Sequence, residues 1–318
     1  MMSGLSTAAG PVAFGDSLLR RGREDDRIVV LIGDLGRYVD VGAFGQAFPD
    51  RLLQMGMSEA NIIGAAAGLA KSGLLPIVVT YGVFIARRAY DQVAMSLATG
   101  PTRVALVGCM PGISTPFRAT HQAIDDVALM RAVPTMTVVD PADAVDLHGA
   151  LRAAGEADGP LYVRAYRGSQ PALSRPRGDE RFALGRAVEL EPEGEVAFLS
   201  SGLATQWVIE ARAELHARGV ESAHLHVPTI KPLDHEAVGA FCERHRVVVT
   251  VENASTVGGL GEAVAGVAAG GGLGTRVVRT GVPDVWPPSG RLPYIREQLG
   301  LDAAGLAALA LDTRGTVR

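Results

Sequence analysis

Residues 28–32 read Ile-Val-Val-Leu-Ile, an unbroken β-branched and leucine run. A strand with one face in water alternates apolar and polar residues. One that is apolar at every position expects cover on both faces, which is the habit of a parallel sheet. The run is one of a series. Residues 52–56, 76–80, 103–107, 135–139 and 161–165 read as further strands, and residues 8–21, the stretch from Glu59, 84–97, 124–133 and 142–154 have helical spacing. Strands alternating with helices predict an α/β fold with a parallel sheet between helical layers, its sites at the carboxyl ends of the strands. Asp34, Glu59, Tyr81, the loop after Val107 and Arg167 all fall at such ends.

After residue 168 the alternation stops in a polar stretch with prolines and no period, which reads as a surface linker. It then resumes, with strands expected at 196–199, 223–227, 247–251 and 277–279 and helices between them. The expected organisation is therefore two parallel-sheet domains, 1–168 and 189–318, joined by a linker at 169–188. A chain of 318 residues is long enough for two such domains.

The stretch from Gly56 to Ala70 places a carboxylate where it has little room. Ser58 is a good N-cap, able to accept an orphan backbone N–H of the first helical turn. The residues from Ala60 onward are small and apolar on nearly every face, so the helix expects close neighbours all round. Glu59 opens that helix. An unpaired buried charge is too costly to keep, so Glu59 is expected to be paired or used; a plain helix-start Glu favoured by the helix dipole is the alternative account.

Composition excludes several classes. The net charge is −4 and no basic run is present, which argues against a nucleic-acid partner. No apolar run approaches the roughly 20 residues needed to span a bilayer, and no basic-then-apolar leader opens the chain. Cys109 and Cys242 have no metal-ligand spacing, so a reducing, cytoplasmic setting is expected and no metal ligands are assigned.

Several segments, in order, resemble the C-terminal half of a transketolase in the form split into two polypeptides. They are Gly33-Asp34-Leu35, Phe48-Pro49-Asp50-Arg51, Gly56-Met57-Ser58-Glu59-Ala60-Asn61, Arg88-Ala89-Tyr90-Asp91-Gln92 and Thr120-His121-Gln122-Ala123-Ile124-Asp125-Asp126. Further on come Met130-Arg131-Ala132-Val133-Pro134, Asp140-Pro141-Ala142-Asp143, Thr229-Ile230-Lys231-Pro232-Leu233-Asp234, and Val251-Glu252-Asn253 with Gly258-Gly259-Leu260-Gly261. The resemblance implies a thiamin-diphosphate pyrimidine-binding domain followed by a transketolase C-terminal domain. It also implies two-carbon ketol or acyl transfer by a transferase of aldehyde or ketone residues.

That family's cofactor loses the C2 proton of its thiazolium ring to its own aminopyrimidine, in a tautomer promoted by a carboxyl group on the far ring nitrogen. The resemblance puts Glu59 in that role. Burial favours the neutral acid and the helix start the charged form. Tyr81 and Phe84 take the positions of the aromatics that wall the pyrimidine, notable in a chain only 5% aromatic. Asp34 matches an aspartate near the cofactor, though a turn former after a strand is an equal account of it. His121 falls where the family has a substrate-contacting histidine, and Arg167 where it holds the phosphate end of a sugar. Arg164 reads as a structural ion-pair partner.

Departures from the pattern matter too. Split transketolases usually carry Thr-His-Ala-Gly and then Gly-Glu-Asp-Gly before Thr-His-Gln. Here the loop runs Cys109-Met110-Pro111-Gly112 and then Thr115-Pro116-Phe117-Arg118. Two sugar-reading polar groups have become apolar, and a cation, Arg118, has appeared. Arg87 stands where deoxyxylulose-phosphate synthase has an arginine facing substrate. Together these changes point to a substrate that is less hydroxylated than a pentose phosphate or carries a carboxylate. The family's Gly-Asp-Gly and Asn diphosphate site is not found in this sequence, so the resemblance implies a partner. An N-terminal-half subunit would hold the diphosphate and its Mg2+ or Ca2+, in an α2β2 assembly. The β subunit of a 2-oxo-acid dehydrogenase and a non-catalytic assembly subunit are the competing readings.

Overall fold

The computed structural model describes residues 13–168, 170–179 and 181–315. The expected first helix is present as Ala13–Glu24, and residues 8–12 of that expectation lie outside the described residues. So do Ser169 and Glu180 of the linker and the last three residues.

The strands, in chain order, are β1 (Ile28–Ile32), β2 (Leu52–Gln54), β3 (Leu75–Tyr81), β4 (Ala105–Cys109), β5 (Thr137–Val139) and β6 (Leu161–Ala165). They continue as β7 (Val188–Glu191), β8 (Val196–Ser200), β9 (Ser222–His226), β10 (Thr229–Lys231), β11 (Val247–Ser255) and β12 (Arg276–Val282). They form two sheets, in the orders β10-β5-β6-β4-β3-β1-β2 and β12-β11-β8-β9-β7. Pairing is parallel except at one edge of each sheet, where β10 runs antiparallel to β5 and β7 antiparallel to β9. Every residue of β1, β3, β4 and β6 is buried. Burial of each large apolar side chain contributes about 1.5–3 kcal/mol, which is why these solid runs settle in the middle of the sheet.

The two halves are not independent bodies. β10, which comes after β9 of the second sheet, closes the edge of the first. One apolar cluster runs from Val29 and Ile62 of the first half to Leu199, Leu225 and Phe241 of the second. A polar line also crosses: Arg175 donates to Asp146, whose other oxygen meets His226 Nε2 at 2.8 Å. From there it passes through Thr205 and Ser200 to His224. Arg175 lies in the stretch expected as a surface linker. No helix or strand forms in 170–179 or 181–187, yet its side chain is 4% exposed and tied to Asp143 and Asp146. The buried carboxylates at the start of the helix Ala144–Ala153 recruit it.

Arg164 takes the structural place expected of it. Fully buried on β6, it donates to Asp126 at 3.0 Å, to Asp140 at 3.1 Å and to the Asn253 carbonyl of β11 at 2.8 Å. Gly202 has φ +53°, and a Cβ there would come within 2.2 Å of Asp140. Only glycine permits the second half to press so closely on that carboxylate.

Candidate active site

The carboxyl ends of β1, β3, β4 and β6 lie along one edge of the first sheet. The helix Glu59–Lys71 starts at this edge. Ser58 precedes it as the N-cap residue but makes no side-chain cap, contrary to expectation. Gly56, at φ +74°, turns the chain so that the Ser58 hydroxyl donates back to the Met55 carbonyl at 3.1 Å. Glu59 is 4% exposed and paired. Its two carboxylate oxygens accept from Arg88 Nη1 at 3.0 and 2.9 Å.

Arg88 comes from the segment expected as a plain helix at 84–97. That segment is a π-helical turn, Phe84–Arg88, then a short α-helical piece, Tyr90–Gln92, and a second π-helical turn, Val93–Leu97. Such wide turns collect at functional sites. Here they put Phe84 and Arg88 on one side, with the Arg88 guanidinium carbon 4.2 Å from the Phe84 ring centre.

Tyr81, at the end of β3, and Phe84 have nearly parallel rings, 9° apart in plane with centres 6.0 Å apart. His121 meets both edge-on, at 6.0 and 5.6 Å, and also packs edge-on with Phe117 at 5.3 Å. Glu59, Arg88, Phe84, Tyr81, His121 and Phe117 thus form one chain of contacts. Burial, helped by the nearby Arg88 charge, holds the His121 imidazole below its ordinary pKa, so the ring is neutral at pH 7. Its Nδ1 lies 2.8 Å from the Thr120 hydroxyl. Burial pushes the Tyr81 phenol up, so it stays a neutral wall.

His121 sits on the short helix Arg118–His121, within a stretch expected as an irregular loop. Two residues of that loop, Met110 and Arg118, adopt positive φ without being glycine, at 54° and 36°. Strain of this kind persists only where neighbours impose it. The neighbours are in the second half of the chain. Asn253 Oδ1 accepts from Ile113 N, and its Nδ2 donates to the Pro111 carbonyl. Gln122 donates to the Pro288 carbonyl, and Ser255 N to the Ile124 carbonyl. Arg87 binds the loop from the other side, donating to Asp125, to the Ala119 carbonyl and to the Gln122 carbonyl, with its guanidinium over the Trp286 ring.

The remaining expected residues stand apart from this line. Asp34 comes after β1 and is exposed. Arg118 is exposed one helical turn before His121. Arg167, also exposed, lines a separate recess with Tyr38, Asp40, Cys109 and Met110. Arg87, expected to face substrate, has its donors taken by the loop, because Asp125 and two carbonyls surround it. Sequence reasoning gave no role to Arg88, Asn253 or Trp286. The signal for Arg88 was present, since a buried Glu59 requires a partner cation within reach. Among the described residues, no group of three or more His, Cys, Asp or Glu side chains is arranged to hold a metal ion, and no helix is long and apolar enough to cross a membrane.

Comparison with known proteins gives consistent results. The family profile described as transketolase, pyrimidine binding domain, matches residues 7–171, and transketolase, C-terminal domain, matches residues 185–306. An uncharacterised transketolase-family protein of Sinorhizobium fredii is 39% identical over 96% of this chain and 89% of its own. The 6-deoxy-6-sulfo-D-fructose transketolase subunit SqwH of a Clostridium species is 38% identical over 93% of this chain and 92% of its own. Among solved structures, a split-gene transketolase described as an inactive beta4 tetramer superposes with a TM-score of 0.85. It is 35% identical and covers 96% of this chain and 98% of its own.

Proposed function

The chain belongs to the transketolase family, and on that footing we propose that it is the C-terminal-half subunit of a thiamin-diphosphate-dependent ketol or acyl transferase. Residues 1–168 serve as its pyrimidine-binding domain and 189–318 as its C-terminal domain. One observation carries the reading: a buried carboxylate, Glu59, lies at the carboxyl edge of the parallel sheet beside the Phe84 ring, with Tyr81 and His121 next in line. These residues fit the cofactor's pyrimidine end. Glu59 already accepts hydrogen bonds from a planar N–H donor over the Phe84 ring, which is the arrangement the pyrimidine's imino tautomer, with a proton on the far ring nitrogen, would require.

When bound, the cofactor supplies a nucleophilic carbon for the ketol unit. The rest falls to the chain. Glu59 would hold the far pyrimidine nitrogen, and Phe84 and Tyr81 would shield the ring from water. His121, neutral at pH 7, accepts or returns a proton at a substrate oxygen through its imidazole. Arg87 keeps the 119–125 loop in register and so places His121. Asp34 is assigned to the cofactor's surroundings.

The diphosphate and its Mg2+ or Ca2+ are assigned to an N-terminal-half partner in an α2β2 complex, on the ground that the family's Gly-Asp-Gly and Asn segment is not found in this sequence. The solved relative composed of four β subunits is described as inactive, which agrees with a need for that partner. Exposed Arg118 and Arg167 are suited to an anionic group on the substrate. The altered 109–118 loop favours a substrate poorer in hydroxyls than a pentose phosphate; the sulfonated sugar for which one relative is named bears only on the anionic group, since it keeps its hydroxyls.

The test is the assembled complex. Glu59→Gln should abolish ketol or acyl transfer while leaving assembly intact; retained activity overturns the assignment. Rapid transfer from xylulose 5-phosphate to ribose 5-phosphate would overturn the substrate reading alone.

A further inference from the structure

We infer that Arg88 occupies the aminopyrimidine's place in the subunit without cofactor and must vacate it on binding, so that Arg88 sets this chain's affinity for that ring. The inference rests on the reading of Glu59 given above.

Two contacts define the place: a flat group against the Phe84 ring, and a nitrogen against the Glu59 carboxylate. The Arg88 guanidinium makes both, 4.2 Å from the Phe84 centre and with Nη1 at 3.0 and 2.9 Å from the two Glu59 oxygens. A guanidinium suits this, being planar, rich in N–H donors and able to stack on aromatics. The pair is lopsided: the Glu59 side chain is 5% exposed and that of Arg88 is 50% exposed. Arg88 can therefore move out into water as the ring takes its place, whereas Glu59 cannot leave. An isolated buried carboxylate is unfavourable, so Arg88 also holds the Glu59 side chain in position until the ring arrives.

The adjacent arginine does the opposite. Arg87 is fixed by Asp125 and two loop carbonyls. The π-helical turn ending at Arg88, with Ala89 after it at φ −114°, points neighbouring side chains into these two different settings. A ligand that displaces a resident group binds more weakly by the fraction of time the place is open. Removing Arg88 should therefore strengthen binding of the ring.

The test uses thiamin without its diphosphate, titrated calorimetrically into the full chain without partner, so that only the pyrimidine end is probed. Arg88→Met keeps the apolar stem and removes the donors. It should bind thiamin about tenfold more tightly than the wild type, about 1.4 kcal/mol. In a Glu59→Gln background the same change should alter affinity less than about twofold. Arg88→Lys keeps the charge without the flat stack and should fall between, which serves if the methionine variant folds poorly.

Unchanged or weaker thiamin binding by both Arg88 variants overturns the inference. So does a gain that persists in the Glu59→Gln background, since that would be a general effect of removing charge. If the wild-type complex with an N-terminal-half partner binds thiamin diphosphate and the Arg88 variants show no gain, Arg88 alone is misassigned. Failure of that complex to bind thiamin diphosphate overturns the reading of Glu59 beneath it.

Discussion

Replacing Arg164 by methionine removes the cation of a buried charge cluster in the first half that also donates to the second. Methionine is unbranched and fills part of the same space, so the change is mainly one of charge and donors. Arg164, Asp126 and Asp140 have side chains 0–1% exposed. Without the guanidinium, Asp126 keeps the Tyr162 hydroxyl and Val127 N, and Asp140 keeps the Tyr166 and Ser201 hydroxyls. Neither keeps a cation from this cluster, and the Asn253 carbonyl loses the Arg164 donor.

Removing one partner of a buried pair costs about 3–5 kcal/mol, and an orphaned buried acceptor about 1–3 kcal/mol. A loss of at least about 4 kcal/mol is expected, a large fraction of the stability of an ordinary domain. Urea unfolding monitored by circular dichroism and by Trp207 and Trp286 fluorescence measures it. The loss must also depend on pH. Burial holds the Asp126 carboxyl above its usual range even beside Arg164, and removing the cation raises it further. A folded-state pKa raised above the unfolded value contributes stability at low pH that is lost as pH rises through it. The gap between variant and wild type should therefore narrow as pH falls through the raised Asp126 pKa of the variant, by up to about 1.4 kcal/mol per pH unit for each proton taken up. A loss below about 1 kcal/mol, or one indifferent to pH, would refute the reasoning.

The same geometry sets other outcomes. Glu59→Gln should lower turnover of the assembled enzyme by at least about a hundredfold with unchanged sedimentation of the complex. Glu252, buried at the start of the helix Leu260–Gly270, has its carboxyl pushed up to about 7 by burial, against the backbone N–H groups of Gly261 and Leu260. Its contribution is therefore present below pH 4.5 and lost as pH rises through about 7, a swing of about 3 kcal/mol. Glu252→Gln should flatten that part of the stability profile. Asp146 has the opposite sign: burial raises its pKa, but His226 and Arg175 outweigh this and leave it lowered. Its contribution is present above the unfolded value and lost as pH falls through the folded one, and Asp146→Asn should abolish that dependence and cost about 3–5 kcal/mol at neutral pH. Gly202→Ala should destabilise by more than about 1 kcal/mol, read as a lower melting temperature, because of its positive φ and the nearby Asp140.

Much of this architecture was legible in the sequence because the strands of a parallel sheet are buried on both faces. Ile28–Ile32 and the runs like it could hardly be anything else. β7 and β10 escaped notice, being antiparallel edges of four and three residues without such a run. The wide turns from Phe84 to Leu97 share the apolar spacing of an ordinary helix, so periodicity could not separate the two. Glu59 stood out through a conflict between charge and surroundings, and Tyr81 and Phe84 through scarcity. Arg88 did not, since an arginine on a helix ordinarily points to water. The grip of Asn253 on the Pro111–Ile113 loop spans 140 residues of sequence and no local pattern encodes it.

The return of β10 to the first sheet bears on how the polypeptide is made. When the ribosome has finished Ala165, the β5 edge is still bare, and it stays so until Lys231 has emerged and the intervening chain has folded back. Until then the nascent protein presents an open hydrogen-bonding edge of the kind that recruits foreign strands. Severing the gene between the halves would leave that edge open until the second polypeptide docked to close it.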